Sequence, residues 1–275
     1  MSLQKINSSF IKKKLPSRKK FSNKTDAGKV LVVGGGKGLY GAGILTALAA
    51  TRSGAGYTHL MTDLSKFPWL KFPDFIVHPL KLSELKNKKS FVVAIGPGLG
   101  VSESQKKFLT FLIKEKYEKV ILDADALTLL ATMKNTQLPE SWILTPHEGE
   151  LARLLHKNSA EIKKDRIHFI QEAQKKFGCV VLLKGADTLI SDSSNKIYQI
   201  SEGTRALAKA GTGDTLLGII AGFYAQDIPA IEAAILGSYV HGTCSKLWEK
   251  QHKDHLSLRP LDIIESLPKV LFSLR

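Results

Sequence analysis

Short apolar runs alternate with helical patterns along most of this chain, and that alternation limits the possible folds more than any other feature. The predicted strands cover residues 29–33, 57–61, 91–95, 120–122, 142–144, 180–183, 188–191 and 196–200. The predicted helices cover residues 41–52, 105–116, 160–177, 216–225 and 229–248. Strands that alternate with helices favour a parallel sheet covered on both faces. We therefore expect a single-domain, three-layer α/β/α fold with a mostly parallel central sheet.

The size and composition of the chain agree with one such domain. Its 275 residues are 43% apolar, which is enough for a sizeable core, and no linker divides residues 25–275. No apolar run approaches the length of about 18 residues that a membrane span needs, and residues 1–10 lack the apolar core of a secretory signal. Cys179 and Cys244 have no metal-ligand spacing and are too few for a disulfide framework. We expect a protein of the reducing cytoplasm with no membrane partner.

Residues 1–24 form a strongly basic arm ahead of the predicted domain. The chain has a formal net charge of +15, and the arm contains eight cations and no acid: Lys5, Lys12, Lys13, Lys14, Arg18, Lys19, Lys20 and Lys24. A basic tail can bind nucleic acid or an anionic membrane. It can equally be a solvated, partly disordered arm, and the scarcity of aromatic residues for base stacking favours this second interpretation. We do not expect nucleic acid to be a partner.

The segment Gly211-Thr212-Gly213-Asp214, followed at once by an apolar helix, is the most informative motif of the chain. Glycines just before a helix leave backbone N–H groups free to bind an anion, and the helix dipole adds to the attraction. An aspartate at that place could accept a proton from a hydroxyl that attacks a phosphate. The alternative is an ordinary helix cap, since aspartate and threonine both cap helices well.

Two further polar segments follow predicted strands. Lys184-Gly185 follows the strand over residues 180–183, where a lysine can neutralise a phosphate, although it could also be a surface lysine before a turn. His147 and two acids follow the strand over residues 142–144, and they also match the proline-containing, acid-rich start of a helix. Ligands bind beyond the carboxyl ends of strands in open α/β sheets, so motifs that are distant in sequence can line one crevice.

A glycine-rich segment and a pair of carboxylates also follow predicted strands. Gly96, Gly98 and Gly100 would let a ligand approach the backbone closely, or would form a tight turn. Asp123 and Asp125 could hold Mg²⁺, which needs only one or two carboxylates beside phosphate and water, and Asp125 could equally cap the next helix. The Gly-x-x-x-x-Gly-Lys-Ser/Thr motif is absent, so a nucleotide site would be of another type.

Taken in order, these segments resemble the NAD(P)H-hydrate dehydratase family, which belongs to the ribokinase-like superfamily. The resemblance spans residues 28–270 and rests on residues 32–35, 41–42, 52–56, 96–100, 122–127, 145–150, 183–185, 211–216 and 241–242. The segment Thr145-Pro146-His147-Glu148-Gly149-Glu150 best separates this family from sugar and vitamin kinases of the same superfamily. The chain lacks the His-Lys-Gly that the family usually has shortly before the first strand.

The resemblance implies a ribokinase-like fold and a lyase that repairs NADH or NADPH hydrated at C6 of the nicotinamide ring. ADP or ATP would be consumed through a phosphorylated intermediate, with Asp214 as the base and Mg²⁺ as the cofactor. The residues that would contact the hydrated dinucleotide are Ala42, Gly98 or Gly100, His147 and Asp214. Those that would contact the adenine nucleotide are Lys184, Gly185, Ala186, Asp187, Thr188 and Gly213, and the backbone of Gly211 and Thr212 is predicted to take part. Asp123 and Asp125 are the candidate Mg²⁺ ligands.

The resemblance also implies a homo-oligomer, with a tetramer expected, and a functional link to an epimerase on a separate chain. One alternative is a small-molecule kinase of the same superfamily that acts on a hydroxymethyl-bearing vitamin precursor and releases a stable phosphorylated product. Another is a non-catalytic nucleic-acid-binding protein, whose binding would depend steeply on salt and on residues 1–24.

Overall fold

A computed structural model describes residues 2–18, 21, 23–36, 38–63, 74–194 and 196–275. The strands are β1 Ser2–Lys5, β2 Lys29–Val33, β3 Tyr57–Thr62, β4 Ile76–Pro79, β5 Val92–Ile95, β6 Val120–Leu122, β7 Ile143–Leu144, β8 Val180–Leu183, β9 Thr188–Ser191 and β10 Lys196–Ile200. The helices are α1 Ser8–Lys14, α2 Tyr40–Arg52, α3 Glu103–Lys114, α4 Ala124–Ala131, α5 Glu148–Leu155, α6 Ser159–Lys164, α7 Arg166–Phe177, α8 Thr212–Tyr224, α9 Ala230–His252 and α10 Pro260–Ser273.

These strands form one sheet in the order β1-β10-β9-β8-β7-β6-β5-β2-β3-β4. Among the strands of the described chain, only β9 runs antiparallel to its neighbours, which are β8 and β10. The central strands β8, β7, β6, β5 and β2 are parallel to one another, so their carboxyl ends lie at the same end of the sheet. The predicted α/β fold with a mostly parallel central sheet is confirmed.

Each face of the sheet carries its own apolar core, because successive side chains of a strand point to opposite faces. Along β2, Val30 and Val32 belong to one core, whereas Leu31 and Val33 belong to the other. Helices α2, α8, α9 and α10 close the first core, and helices α3, α4, α5, α6 and α7 close the second. The result is the expected arrangement of three layers.

Helices α2 and α8 pack closely on the first face of the sheet, where glycines of α8 contact the backbone of α2. A Cβ atom added at Gly218 of α8 would lie 2.2 Å from the carbonyl oxygen of Thr46, and one added at Gly222 would lie 2.7 Å from that of Ala50. No side chain larger than hydrogen fits at these two positions without moving a helix. This close packing fixes the position of α8 and therefore of its N-terminus.

The basic segment at the start of the chain is folded over residues 2–14. Strand β1 pairs in parallel with β10, and helix α1 packs Ile11, which is fully buried, into the first core. Lys14 Nζ lies 2.7 Å from Glu232 Oε1 on α9. The sequence left open a disordered arm, and burial of Ile6 and Ile11 is the physical reason that this part is ordered instead. Lys19 and Lys20 lie outside the described residues, and the boundary between residues 1–24 and 25–275 stays a prediction.

One predicted helix is wrong in its extent. The sequence indicated a continuous helix over residues 160–177, but α6 ends at Lys164 and α7 begins at Arg166. Asp165 lies between them and caps α7 by accepting a hydrogen bond from the N–H of His168 at 2.9 Å. The helical spacing of apolar residues continues across this break, so the pattern alone could not reveal it. No helix in the described part of the chain is long and apolar enough to cross a membrane.

Candidate active site

The polar segments that follow five parallel strands meet beyond the carboxyl ends of the sheet. Lys184 follows β8, His147 lies three residues beyond β7, and Asp123 follows β6. The glycine-rich segments follow β5 and β2, where the N–H of Gly36 donates to the carbonyl of Gly98 at 2.6 Å. The N-terminus of α8 points into the same region. Sheet topology thus brings together motifs that are far apart in sequence, as the sequence predicted.

The first turn of α8 presents backbone N–H groups to this region. Gly211 occupies the N-cap position with a φ of 91°, a left-handed conformation that favours glycine. The hydroxyl of Thr212 donates to the carbonyls of Leu207 and Lys209, both at 2.8 Å, and so fixes the turn. No acceptor for the N–H groups of Gly213 and Asp214 lies among the described residues. Such free N–H groups at a helix N-terminus form a site for an anion.

Asp214 lies in this first turn with its carboxyl group partly buried. Burial, which is the largest cause, and the negative charge of Asp123 both raise the pKa of Asp214, and the positive charge of Lys184 opposes them, so that the pKa is about 6. A carboxyl group in this range is mostly ionised at neutral pH yet remains a usable base. The N-cap residue of α8 is Gly211, which has no side chain, and Asp214 is the acidic residue of the first turn.

Lys184 is surrounded by carboxylates. Its Nζ lies 2.7 Å from Asp123 Oδ1 and 3.7 Å from Glu150 Oε2, and its side chain is only 20% exposed. Burial lowers the pKa of Lys184, but the charges of Asp123 and Glu150 outweigh this effect and hold the pKa above its ordinary value. A Cβ atom at Gly213 would lie 3.8 Å from the same Nζ, so the ammonium group faces the first turn of α8.

His147 begins helix α5 beside this cluster. Its Nδ1 accepts a hydrogen bond from the backbone N–H of Gly149 at 2.9 Å, and the backbone N–H of His147 donates to Glu150 Oε2 at 2.8 Å. The imidazole is 56% exposed, so it is accessible to solvent as well as capping the helix. The carbonyl of Pro146 accepts the N–H of Lys184 at 2.8 Å and joins the two segments. Both sequence interpretations of this segment, helix start and ligand-facing residue, are compatible with the geometry.

His241, on helix α9, contacts the first turn of α8. It is buried, and its Nε2 lies 3.2 Å from the hydroxyl oxygen of Thr215. Burial lowers the pKa of His241 to about 4, which keeps the ring neutral at physiological pH. A neutral ring beside Lys184 avoids placing a second buried cation next to the ammonium group.

Ala42 and Gly98, two of the residues predicted to contact the dinucleotide, are connected to the start of α8 through Thr46. A Cβ atom at Gly98 would lie 3.6 Å from the Cβ of Ala42, so these two residues are neighbours. The hydroxyl of Thr46 is 2.9 Å from the carbonyl oxygen of Ala42 and 3.2 Å from that of Asp214. Thr46 therefore links the start of α2 to the start of α8. The N–H of Gly100 is held elsewhere, by Asp125 Oδ2 at 2.7 Å.

The two proposed Mg²⁺ ligands have different partners in the structure. Asp123 is paired with Lys184, whereas Asp125 accepts the N–H of Gly100. Within the described ranges there is no group of three or more His, Cys, Asp or Glu side chains placed to hold a metal ion. Mg²⁺ needs only one or two carboxylates beside phosphate and water, so the assignment of Asp123 and Asp125 stays a prediction.

Most residues predicted to contact the adenine nucleotide lie between the end of β8 and the start of β9, whereas Gly211, Thr212 and Gly213 lie at the start of α8. Gly185, Ala186 and Asp187 are exposed, and Asp187 accepts a hydrogen bond from the hydroxyl of Ser201. The turn between β8 and β9 is continuous with Lys184, whose ammonium group faces the first turn of α8. Arg166 contacts the carbonyls of this turn, an arrangement that the sequence gave no reason to expect.

Comparison with known proteins decides which family has this arrangement. The family model for NAD(P)H-hydrate dehydratase matches residues 30–269, which include every part of the site described above. This chain belongs to the NAD(P)H-hydrate dehydratase family. The family predicted from the sequence is thereby confirmed.

Individual members of the dehydratase family show the extent of the similarity. The chain is 34% identical over 262 residues to the bifunctional NAD(P)H-hydrate repair enzyme Nnr of Dictyoglomus turgidum, covering 90% of this chain and 51% of that protein. It is 35% identical over 236 residues to the ADP-dependent (S)-NAD(P)H-hydrate dehydratase of Neisseria meningitidis, covering 83% and 80%. The chain thus spans about half the length of the bifunctional relatives it matches.

Solved structures of the dehydratase family share the fold. The ADP/ATP-dependent NAD(P)H-hydrate dehydratase of Bacillus subtilis, co-crystallised with ATP/Mg²⁺, has a TM-score of 0.91 and 29% identity, with all of both chains covered. This likeness confirms the ribokinase-like fold. A hydroxyethylthiazole kinase from Pyrococcus horikoshii has a TM-score of 0.59 and 15% identity, so it shares the general fold alone.

Three residues of the site were missed by reasoning from the sequence. Glu150 was named in the family segment and in an acid-rich helix start but was given no role in the site, and Thr46 was predicted only as part of a helix. Arg166 was placed inside a helix that in fact begins at that residue. The signal for Glu150 was its position three residues after His147, which is the spacing of a capping box. Neither Thr46 nor Arg166 had any local signal, because their contacts are with distant segments.

Proposed function

We propose that this chain is an ADP- or ATP-dependent NAD(P)H-hydrate dehydratase, a lyase that returns C6-hydrated NADH or NADPH to NADH or NADPH. One observation carries the proposal beyond family membership. Asp214, with its pKa raised to about 6, lies in a helix turn with free N–H groups and next to the ammonium group of Lys184. A base beside an anion site is what transfer of a phosphoryl group to a substrate hydroxyl requires.

The first step creates a better leaving group than hydroxide. Asp214 accepts the proton of the C6 hydroxyl while that oxygen attacks the terminal phosphoryl group of the nucleotide. The bond from phosphorus to the bridging oxygen breaks, and the nucleotide leaves with one phosphate fewer. The N–H groups of Gly213 and Asp214 stabilise the charge on the transferring group, since they are already oriented before the reaction.

The second step releases phosphate. The lone pair of the ring nitrogen forms a double bond towards C6 as the C6–O bond breaks with its electrons on phosphate. Loss of a ring proton then restores the dihydronicotinamide. No redox partner is needed, because the hydrate and the product differ only by water.

The binding assignments belong to this proposal. Ala42, Gly98, Gly100 and His147 contact the hydrated dinucleotide, and Lys184, the turn from Gly185 to Thr188, and the segment from Gly211 to Gly213 contact the adenine nucleotide. Mg²⁺ is the proposed cofactor, and it would neutralise charge on the nucleotide phosphates that carry it. The carboxylates of Asp123 and Asp125 are not needed as a pair for this role.

We also propose a cytoplasmic homo-oligomer that works together with an epimerase. The NAD(P)H-hydrate repair enzyme Nnr of Dictyoglomus turgidum is bifunctional, which supports a functional link between two activities. The expected oligomer is a tetramer, and light scattering at micromolar concentration would measure it.

The test is a direct assay. Hydrated NADH is mixed with the protein, ADP or ATP, and Mg²⁺, and the return of absorbance from the reduced nicotinamide is followed. Recovery of NADH that requires the nucleotide is the expected result. A stable phosphorylated compound without NADH would instead identify a kinase, and the absence of both would end the proposal.

Asp214→Asn is the matched control for the assay. Asparagine keeps the size of the side chain but cannot take a proton, so kcat should fall by roughly 10²–10⁴-fold. Nucleotide and dinucleotide should bind nearly as before, because the glycine N–H groups remain. Near-full activity in this variant would show that Asp214 is not the base.

A further inference from the structure

Arg166 holds the turn that is proposed to bind nucleotide. It is the first residue of α7, and its guanidinium group reaches from that helix to the carbonyls of the β8–β9 turn. Nη1 donates to the carbonyl of Asp187 at 2.7 Å, and Nη2 donates to the carbonyls of Lys184 at 3.1 Å and Leu183 at 3.3 Å. One planar group therefore fixes both ends of the turn.

These contacts orient the peptide groups of the turn. Because the carbonyls at both ends accept from Arg166, the intervening backbone is held in one conformation. Within the described chain, no backbone acceptor is found for the N–H groups of Gly185, Ala186 and Asp187, and these residues are exposed. Consecutive free N–H groups in a fixed turn are suited to an anionic ligand.

Arg166 also joins this turn to helix α5. Its Nε lies 3.3 Å from Glu148 Oε1, in the first turn of α5, directly after His147. This is an ionic contact and not a hydrogen bond, because the buried Nε has no hydrogen-bond partner among the described residues. A Cβ atom at position 185 would lie 2.4 Å from Nη2, so a larger residue there would displace the guanidinium group. The guanidinium thus fills the space between the nucleotide turn and the helix that presents His147.

We infer that Arg166 is a positioning residue for the adenine nucleotide, which it does not itself need to touch. It holds the turn from Lys184 to Asp187 in a conformation that binds nucleotide, and anchors that turn to the start of α5. The inference rests on the proposed function, since it assumes that this turn binds nucleotide. It adds a residue that lies outside every motif by which the family was recognised.

Two substitutions separate positioning from charge. Arg166→Ala removes all three contacts to carbonyls, and the Kd for ADP or ATP should rise by roughly 10-fold or more, while kcat at saturating nucleotide should change by less than about 3-fold. Arg166→Lys keeps the positive charge beside Glu148, but a single ammonium group cannot bridge both ends of the turn. It should therefore show most of the same loss.

Arg153→Ala is the matched control. Arg153 lies on α5 and donates to the hydroxyl of Thr128 at 3.0 Å, away from the turn. Its removal should leave the Kd for nucleotide unchanged. Binding is measured by calorimetry with ADP and with ATP, kinetics with hydrated NADH, and folding by thermal denaturation of each variant.

The outcomes distinguish a failure of the proposed function from a failure of the role of Arg166. Wild-type protein that binds neither ADP nor ATP would overturn the proposed function. Wild-type protein that binds and turns over, with unchanged Kd in Arg166→Ala and Arg166→Lys, would overturn the role of Arg166 alone. Full recovery of binding by lysine, or a loss of kcat without a rise in Kd, would also overturn it. If Arg166→Ala does not fold, Arg166→Lys carries the test.

Discussion

The carboxyl group of Asp214 is costly to the folded protein in its ionised form. Its folded-state pKa of about 6 lies above the ordinary value of 3.8, so the folded state binds a proton more tightly than the unfolded state. The stability that this proton contributes is present at low pH and is lost as the pH rises through about 6. The group that we propose as the base is thus more stable in its protonated form within the fold.

Asp214→Asn should therefore stabilise the protein at pH 8. The shift from 3.8 to about 6 is equivalent to about 3 kcal/mol at 1.36 kcal/mol per pKa unit, which is the largest gain in free energy of unfolding to expect. Near pH 3 the gain should vanish, because the carboxyl group is then protonated in both states. Urea denaturation at the two pH values measures the difference, with Asp74→Asn at an exposed position as the control. Equal stability at pH 8 would contradict the burial argument.

The pH dependence of activity should respond to the charges around Asp214. Protonation of the base should lower kcat/KM as the pH falls below about 6. Asp123→Asn removes a negative charge that raises the pKa of Asp214, so this acid limb should move to lower pH. Lys184→Ala removes a positive charge that lowers it, so the limb should move to higher pH, with a raised KM for nucleotide. Shifts in the same direction would refute the charge arrangement described here.

Single residues of the site differ in how well their surroundings could be predicted. Asp214 follows a glycine-rich segment and Lys184 follows a strand, so the local pattern predicts that both lie at the end of the sheet. The partners of Asp123 and Asp125 could not be predicted, because each depends on which strand lies next to which. Strand order cannot be predicted from the local sequence. The contacts of Arg166 could not be predicted for the same reason.

At the scale of elements, the position of α8 depends on its glycines. Gly218→Ala places a Cβ atom 2.2 Å from the carbonyl oxygen of Thr46, so α8 and α2 must move apart. Overpacking of this kind should lower the free energy of unfolding by about 1–3 kcal/mol. It should also lower activity in the folded protein, because the first turn of α8 carries Asp214.

Gly41→Ala is the matched control for this change. Gly41 lies in the first turn of α2, and a Cβ atom there would meet nothing within 4 Å. Denaturation curves should show Gly41→Ala as stable as the wild type or slightly more so, since alanine favours helix. If Gly218→Ala matched it, the close packing of α2 and α8 would not be limiting.

The elements themselves could be predicted to differing degrees. The strands β2, β6, β8, β9 and β10 have the predicted boundaries, because each is a short apolar run with clear turn signals beside it. Strands β1 and β4 were missed, since both lie at the edges of the sheet and carry polar residues. Edge strands are stabilised by pairing on one side, so their sequences need little apolar character.

At the scale of the whole molecule, the start of the chain belongs to the same folded unit as the site. Ile11→Ala should therefore lower the free energy of unfolding of the whole protein by about 2–5 kcal/mol, the usual cost of truncating a buried isoleucine. Lys12→Ala, at an exposed neighbouring position, should change it by less than about 0.5 kcal/mol. Both are measured by denaturant unfolding, and an unaltered transition in Ile11→Ala would mean that the arm unfolds independently.

The crevice is assembled from the ends of several parallel strands, and this has a consequence for how activity is gained during folding. Parallel neighbours require a crossover connection, so each pair of adjoining loops is separated by a long stretch of chain. Such non-local pairing is slow to form, because the entropy of closing each loop is lost before its contacts are made. Any continuous fragment that contains Ala42, His147 and Asp214 makes up most of the chain. Recovery of catalysis after denaturation would thus report completion of the sheet, and no proteolytic piece could retain it.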